Sequence, residues 1–197
     1  MRSRARVFAF IVTGGAVLVR AGCLRILEVS GDSMEETFRE GDIILAIRVW
    51  PFASLPLIKS VLLRPGRIVV CQGPDRQSLM VKRIAARSGQ TVRVDHGALI
   101  VDGVRQPEPY AKEAFDSWPV LQELKGPHPV RIPAGHYFVL SDRRRGSVDS
   151  RVLGPVPEES IVDVVWTVVK RSSAAYITST RPKQFGLVGS MRPGAER

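Results

Sequence analysis

At 197 residues, with 44% hydrophobic and 24% charged side chains, the chain has the make-up of a globular domain with bulk enough for a core. Wholesale disorder and a polytopic membrane protein are both excluded. Lys and Arg outnumber Asp and Glu by 29 to 19, and the net charge of +10 favours anionic surfaces, lipid headgroups or nucleic acid, without choosing between them.

The chain opens with Arg2, Arg4 and Arg6, then runs from Val7 to Val19, 13 residues, without a charge. As a helix that run rises only about 20 Å, short of a hydrocarbon core of roughly 30 Å. Extended to Leu24 it reaches about 27 Å, with Arg20 near the end where its side chain can snorkel. The three arginines hold the N-terminus in the cytoplasm and put everything after Leu24 outside. A cleaved signal peptide is the rival reading. Ala21-Gly22-Cys23 has the look of a lipoprotein cleavage site, except that Arg20 stands where a branched apolar residue belongs. A buried helix is the third. The working expectation is residues 1–27 as a basic stub and retained anchor, 28–171 as a β-rich domain, and 172–197 as a disordered tail.

Past the anchor, short apolar runs bounded by Gly or Pro read as strands: Ile43–Ile47, Arg67–Cys71 and Leu79–Ile84. Thr91–Val94 alternates, turns at Asp95-His96-Gly97 and returns as Ala98–Val101, the clearest hairpin signal in the chain. His136–Leu140 and Ile161–Val169 complete the set. Between them, Trp50–Ile58 with Val61-Leu62-Leu63 is apolar, aromatic and broken by prolines; it is either a loop packed on the core or a contact with the outer leaflet. The fold class expected is mainly β behind an N-terminal transmembrane helix.

Cys23 and Cys71 make no disulfide framework, and His96, His128 and His136 lack zinc spacing, so no metal or other cofactor is expected and each histidine reads as a surface or turn residue. Three segments carry possible chemistry. In Ser30–Phe38, Ser33 follows Gly31-Asp32 in a tight turn, where a hydroxyl is exposed and backbone N–H groups converge, as a nucleophile with an oxyanion site requires; capping a turn is the plainer role. Lys82 sits inside the apolar run Val81–Ile84. Pointing inward it would be desolvated and available as a neutral base; pointing outward it is a surface residue. Ser141–Gly154 is dense in hydroxyls, carboxylates and guanidiniums, and an Asp149–Arg151 pair can brace it.

In this order, the segments resemble the type I signal peptidase family of membrane-bound Ser/Lys leader peptidases, including the mitochondrial inner-membrane relatives. Ser33-Met34 with Thr37-Phe38 and Gly41-Asp42, Gly66–Val70, Val81-Lys82-Arg83-Ile84, and Asp142, Arg144, Ser147, Asp149, Ser150, Arg151 and Gly154 match its boxes, and Val101-Asp-Gly with Glu108-Pro-Tyr110 matches the linking passage. The resemblance covers about Val7 to Lys170. It implies a signal-peptidase-like fold, Ser33 as nucleophile, Lys82 as general base, Ser147 orienting the amine, and Asp142, Asp149 and Arg151 bracing the loop. It also implies a substrate pocket walled by Val29, Gly31, Met34, Phe38, Met80 and Val81, signal-peptide-bearing precursors and membrane lipid as partners, and a place in a plasma membrane or a mitochondrial inner membrane. No nucleic-acid partner is expected, because the residues ahead of Ser33 are mostly apolar and leave no helix-turn-helix. The oligomeric state is left open.

The chain departs from the family pattern in places. Gly31 stands where many members have a hydroxyl as second oxyanion donor. Glu36, next to Glu35, replaces a proline, and two carboxylates near Lys82 would raise its pKa. Arg143-Arg144-Arg145 replaces an Asn-Arg stretch and reads either as an anion-binding run or as a solvated loop. The alternatives to a general signal peptidase are a maturation peptidase dedicated to one secreted precursor and a catalytically silent membrane-bound binding domain.

Overall fold

Branched apolar residues at every second position give this chain its strands, and their two-fold period sets which side chains reach the interior. The computed structural model describes residues 22–96, 98–111 and 129–172. A seven-stranded sheet has the order β1-β2-β11-β3-β4-β9-β10, with β1 at Leu24–Glu28, β2 at Ile43–Arg48, β3 at Ile68–Gln72, β4 at Leu79–Arg87, β9 at His136–Leu140, β10 at Val156–Pro157 and β11 at Ile161–Lys170. Every pairing in it is antiparallel. A four-stranded sheet, β7-β6-β5-β8, is built from β5 (Thr91–Asp95), β6 (Ala98–Val101), β7 (Val104–Arg105) and β8 (Val130–Arg131). The α-helices among the described residues are short: α1 at Pro56–Leu62 and α2 at Ser150–Leu153.

All seven expected strands form. The hairpin closes with Asp95 opposite Ala98, and His96 takes φ 45°, the left-handed conformation that a two-residue turn demands. β11 is longer than its neighbours because it serves both, pairing with β2 along one edge and β3 along the other. Three apolar clusters follow. Ala86, Val92, Leu99, Val101, Phe138 and Leu140 join the smaller sheet to β4 and β9. Val69, Cys71, Ile84, Val139 and Val164 pack in a second cluster. Val29, Met34, Phe38, Ile44, Val70 and Val165 fill a third, roofed by the loop between β1 and β2.

One expectation is revised. Leu24–Glu28 pairs with β2 from Leu24 opposite Ile47 to Glu28 opposite Ile43, so a domain boundary after residue 27 cuts through β1; the apolar character of this stretch is that of a strand. Among the described residues no helix is long and apolar enough to cross a membrane. The expected anchor falls on residues 7–24, of which only the last three are described. The expected tail likewise lies outside the described residues, apart from Ser172, whose N–H donates to Asp42.

Candidate active site

The loop from Ser30 to Gly41 begins and ends at one point: Gly41 N–H donates to Val29 O and Val29 N–H to Asp42 O, both at 2.8 Å. Gly31, at φ 86°, adopts a conformation that a side chain would strain. Inside the loop, Thr37 and Phe38 N–H both bond to Met34 O, and buried Met34 and Phe38 fasten the turn to the core. Ser33 is left on the open side. Among the described residues its N–H has no hydrogen-bond partner.

Lys82 comes from the adjoining wall. On β4 it shares the inward face with Met80 and Ile84 and pairs across to Val69; it is 3% exposed. Its Nζ is hydrogen-bonded to Ser33 Oγ at 3.0 Å. Burial lowers the Lys82 pKa below the ordinary lysine value, against the opposing pull of Asp149. Cys71, also near, is itself buried and pushed up to about 11, so near neutral pH it is an uncharged thiol and adds no anion beside the amine. Asp142 acts more weakly, in the same direction as Asp149. The carboxylates that bear on Lys82 are thus those of the 141–149 loop. Glu35, expected to raise the lysine pKa, faces Arg143 at 3.4 Å instead.

The 141–151 loop is knit from within. Asp149 caps α2 and accepts from Arg151 N–H (3.0 Å), Arg151 Nε (2.9 Å), Arg151 Nη2 (2.8 Å) and Ser141 N–H (2.8 Å). Burial works to raise its pKa, but the Arg151 guanidinium and these N–H groups outweigh it and keep the carboxyl ionised. Arg151 Nη1 donates to Arg144 O at 2.5 Å, and Val139 N–H donates to Ser150 Oγ at 2.9 Å, tying the loop to β9. Asp142 receives Arg83 through Nε (2.8 Å) and Nη2 (2.6 Å) and Thr37 through Oγ1 (2.5 Å), so it joins β4, the nucleophile loop and its own loop. Ser147 is buried in this loop; among the described residues no hydrogen bond joins it to Lys82.

The arginine run has a different use from either expected one. Arg144 is wholly buried and bonds Glu108 at 2.5 Å. Arg143 donates its backbone N–H to Ser33 O at 3.1 Å, and its guanidinium pairs with Asp32 and with Glu35. Only Arg145 of the three stands in solvent. No sequence motif announces the positioning roles of Thr37 and Arg143, and that of Arg83 is only hinted at. The signal for Arg83 was there, a second cation beside Lys82 in an apolar strand; it also lies 4.0 Å over the Tyr110 ring, giving the Glu108-Pro-Tyr110 passage its place against the site.

A cleft of about 340 Å³ opens beside the two residues, lined by Leu27–Gly31, Ser33, Met34, Ile44, Val70 and Leu79–Lys82. β1 and β4 both border it although three strands separate them in the sheet, so the sheet curls on itself. Val29, Gly31, Met34, Met80 and Val81 line the cleft as expected. Phe38 does not: it is turned into the third cluster and supports the cleft from beneath. A hydroxyl against a buried amine, an unpaired N–H at the hydroxyl residue and an apolar groove leading to them are the elements of nucleophilic acyl transfer.

The comparisons place the chain in that chemical class. Residues 2–169 match the family described as "Signal peptidase, peptidase S26". The chain belongs to this family, and with it to the serine peptidases among the hydrolases. It is 32% identical over 150 residues to Signal peptidase I T of Bacillus subtilis, covering 75% of this chain and 74% of that one. It is 31% identical over 148 residues to Probable signal peptidase I-1 of Synechocystis sp., covering 75% and 71%. With Thylakoidal processing peptidase 1 of Arabidopsis thaliana the identity is 29%, covering 78% of this chain but only 44% of the longer plant protein. Among solved structures, a signal peptidase I from Enterococcus faecalis aligns at 28% identity with a TM-score of 0.40, over 53% of this chain and 96% of that one.

Proposed function

We propose that this chain is a membrane-anchored serine endopeptidase that removes signal peptides from exported precursors through a Ser33/Lys82 dyad. The observation that carries the reading is the 3.0 Å contact between a hydroxyl on a tight turn and an amine that burial holds below its ordinary pKa. The neutral Lys82 Nζ takes the proton as Ser33 Oγ attacks the scissile carbonyl, and the Ser33 N–H stabilises the oxyanion. The proton passes to the departing amine, and the acyl group stays as an ester on Ser33. Water, deprotonated by the same amine, then hydrolyses the ester. No metal or organic cofactor takes part. Among the described residues β1 is an edge strand with β2 on one side only, and an extended peptide laid along Leu27–Gly31 would bring its small side chains into the cleft.

Arg2, Arg4 and Arg6 ahead of the uncharged run Val7–Val19 support a single span with the catalytic domain on the extracytoplasmic side. Such a span tethers the domain that carries Ser33 at the membrane where a signal peptide is held. The test is cleavage of a purified precursor in lipid by the wild-type chain and by Ser33→Ala, with mass spectrometry of the new N-terminus. A cut after a small residue that disappears in the variant is the expected result. No cut by the wild type across several precursors would leave only the silent binding domain.

A further inference from the structure

Between Asp42 and Asp75 the sequence has no carboxylate, and within this stretch lie five large apolar side chains that the fold leaves in water. Trp50, in a 3-10 turn, is 67% exposed; Leu55 leads into α1; and Leu57, Ile58 and Val61 stand on the outer side of α1, Leu57 at 78%. The helix has one charged residue, Lys59, and it is turned inward, with Nζ donating to Glu158 at 2.7 Å. Leu62 packs against the core and Leu63 is buried in it, so the helix is fixed with its apolar residues outward. The outer face therefore presents Leu57, Ile58, Val61 and the Ser60 hydroxyl. Arg48 precedes the segment, and Arg64 and Arg67 follow it.

Its position matters as much as its composition. Arg48 N–H donates to Cys23 O at 2.7 Å, so the chain arriving from the uncharged run Val7–Val19 enters the domain two residues from Trp50. The nucleophile loop leaves the other end of the same β1–β2 pair. A bilayer interface suits these features: apolar side chains for the acyl boundary, an indole for the headgroup level, and flanking cations for acidic lipids, with no carboxylate in the segment itself and Glu158 beside it taken up by Lys59. A second protein suits them less well, since a stable interface takes about 20–30 residues a side.

We propose that Trp50–Leu62 is a second membrane-contact element, an interfacial helix-and-turn that lies in the headgroup boundary of an anionic phospholipid bilayer beside the point where the N-terminal segment enters. It fixes the domain's orientation over the membrane at a place separate from the Ser33 cleft, and it does so whether or not Ser33 cleaves signal peptides.

The test uses the full chain in vesicles of phosphatidylcholine and phosphatidylglycerol, with Trp118 and Trp166 changed to Phe so that Trp50 alone reports. Its emission is expected to be blue-shifted and quenched by lipids brominated near the glycerol end of the acyl chains. Leu57→Ser with Val61→Ser is expected to remove at least half of the quenching while the circular dichroism is unchanged. If the single-Trp chain does not fold, an environment-sensitive dye on Ser60→Cys gives the same reading in the chain that keeps its tryptophans, because Cys23 and Cys71 are buried. An emission typical of indole in water overturns the proposal. So does a blue shift without bromine quenching: varying with protein concentration, it would mean a second copy covers the patch, and independent of it, that residues 1–21 of the same chain do.

Discussion

In the 141–151 loop, Asp142, Arg144, Asp149, Ser150 and Arg151 are all essentially without solvent exposure, and each carboxylate among them is matched to a guanidinium. The 30–41 loop, which carries the nucleophile, is held differently: by its own turn bonds, by buried Met34 and Phe38, and by Thr37 and Arg143 reaching across to the other loop or back from it. Its charged residues Asp32 and Glu35 are partly in water, and so is the arginine that pairs with them. Removing one member of a buried pair leaves an uncompensated charge in a low dielectric, whereas a half-exposed pair is screened and costs little to lose. The first loop is thus a matter of stability, and the second of where Ser33 points.

Breaking each side of the comparison gives distinct outcomes. The largest effect is expected at the junction itself: Lys82→Met lowers kcat/KM by about 10²–10⁴-fold, the usual contribution of a general base. The folded state survives, because an apolar chain of similar length suits the buried strand position, and thermal unfolding should show a Tm no lower than the wild type's. Residual activity near that of the wild type would remove Lys82 from the mechanism. Asp149→Ala, which strands the Arg151 guanidinium, is expected to destabilise the domain by about 3–5 kcal/mol, measured by chemical denaturation. A change within 0.5 kcal/mol would show that the loop is braced by something else. Arg143→Gln sharpens the other side: kcat falls about tenfold, KM and Tm hold, and Arg143→Lys restores part of the rate, as expected for a residue that positions Ser33 through Asp32, Glu35 and its own backbone. An equal fall in Tm would make it a stability residue like Asp149.

What the sequence made legible divides along physical lines. Strands with two-fold alternation or branched apolar runs, from Ile43–Ile47 to Ile161–Val169, were readable because burial acts on each residue locally. Ser33 and Lys82 were readable from the order of motifs around them, and the Asp149–Arg151 pair from its spacing of two. Leu24–Glu28 was not: past Arg20 the apolar character resumes and runs into it, and only its pairing with β2 reveals a strand. α1 is a seven-residue helix inside a proline-broken stretch, too short for periodicity; Pro56 at its first turn was the one clue. The partners of Arg143 and Asp142 lie 111 and 105 residues away, and no local pattern announces them. Gly31 is glycine here at a φ of 86°, a backbone requirement that motif matching could only record as a missing hydroxyl.

The most direct test of the Ser33/Lys82 account is the pH dependence of kcat/KM on a precursor in lipid. A buried amine with a depressed pKa must lose its proton before it can accept one from Ser33, so the rate should rise with pH through a single ionisation below the ordinary lysine range and then level off. A rate that climbs only near pH 10.5, or that does not vary with pH, would contradict Lys82 as the neutral base.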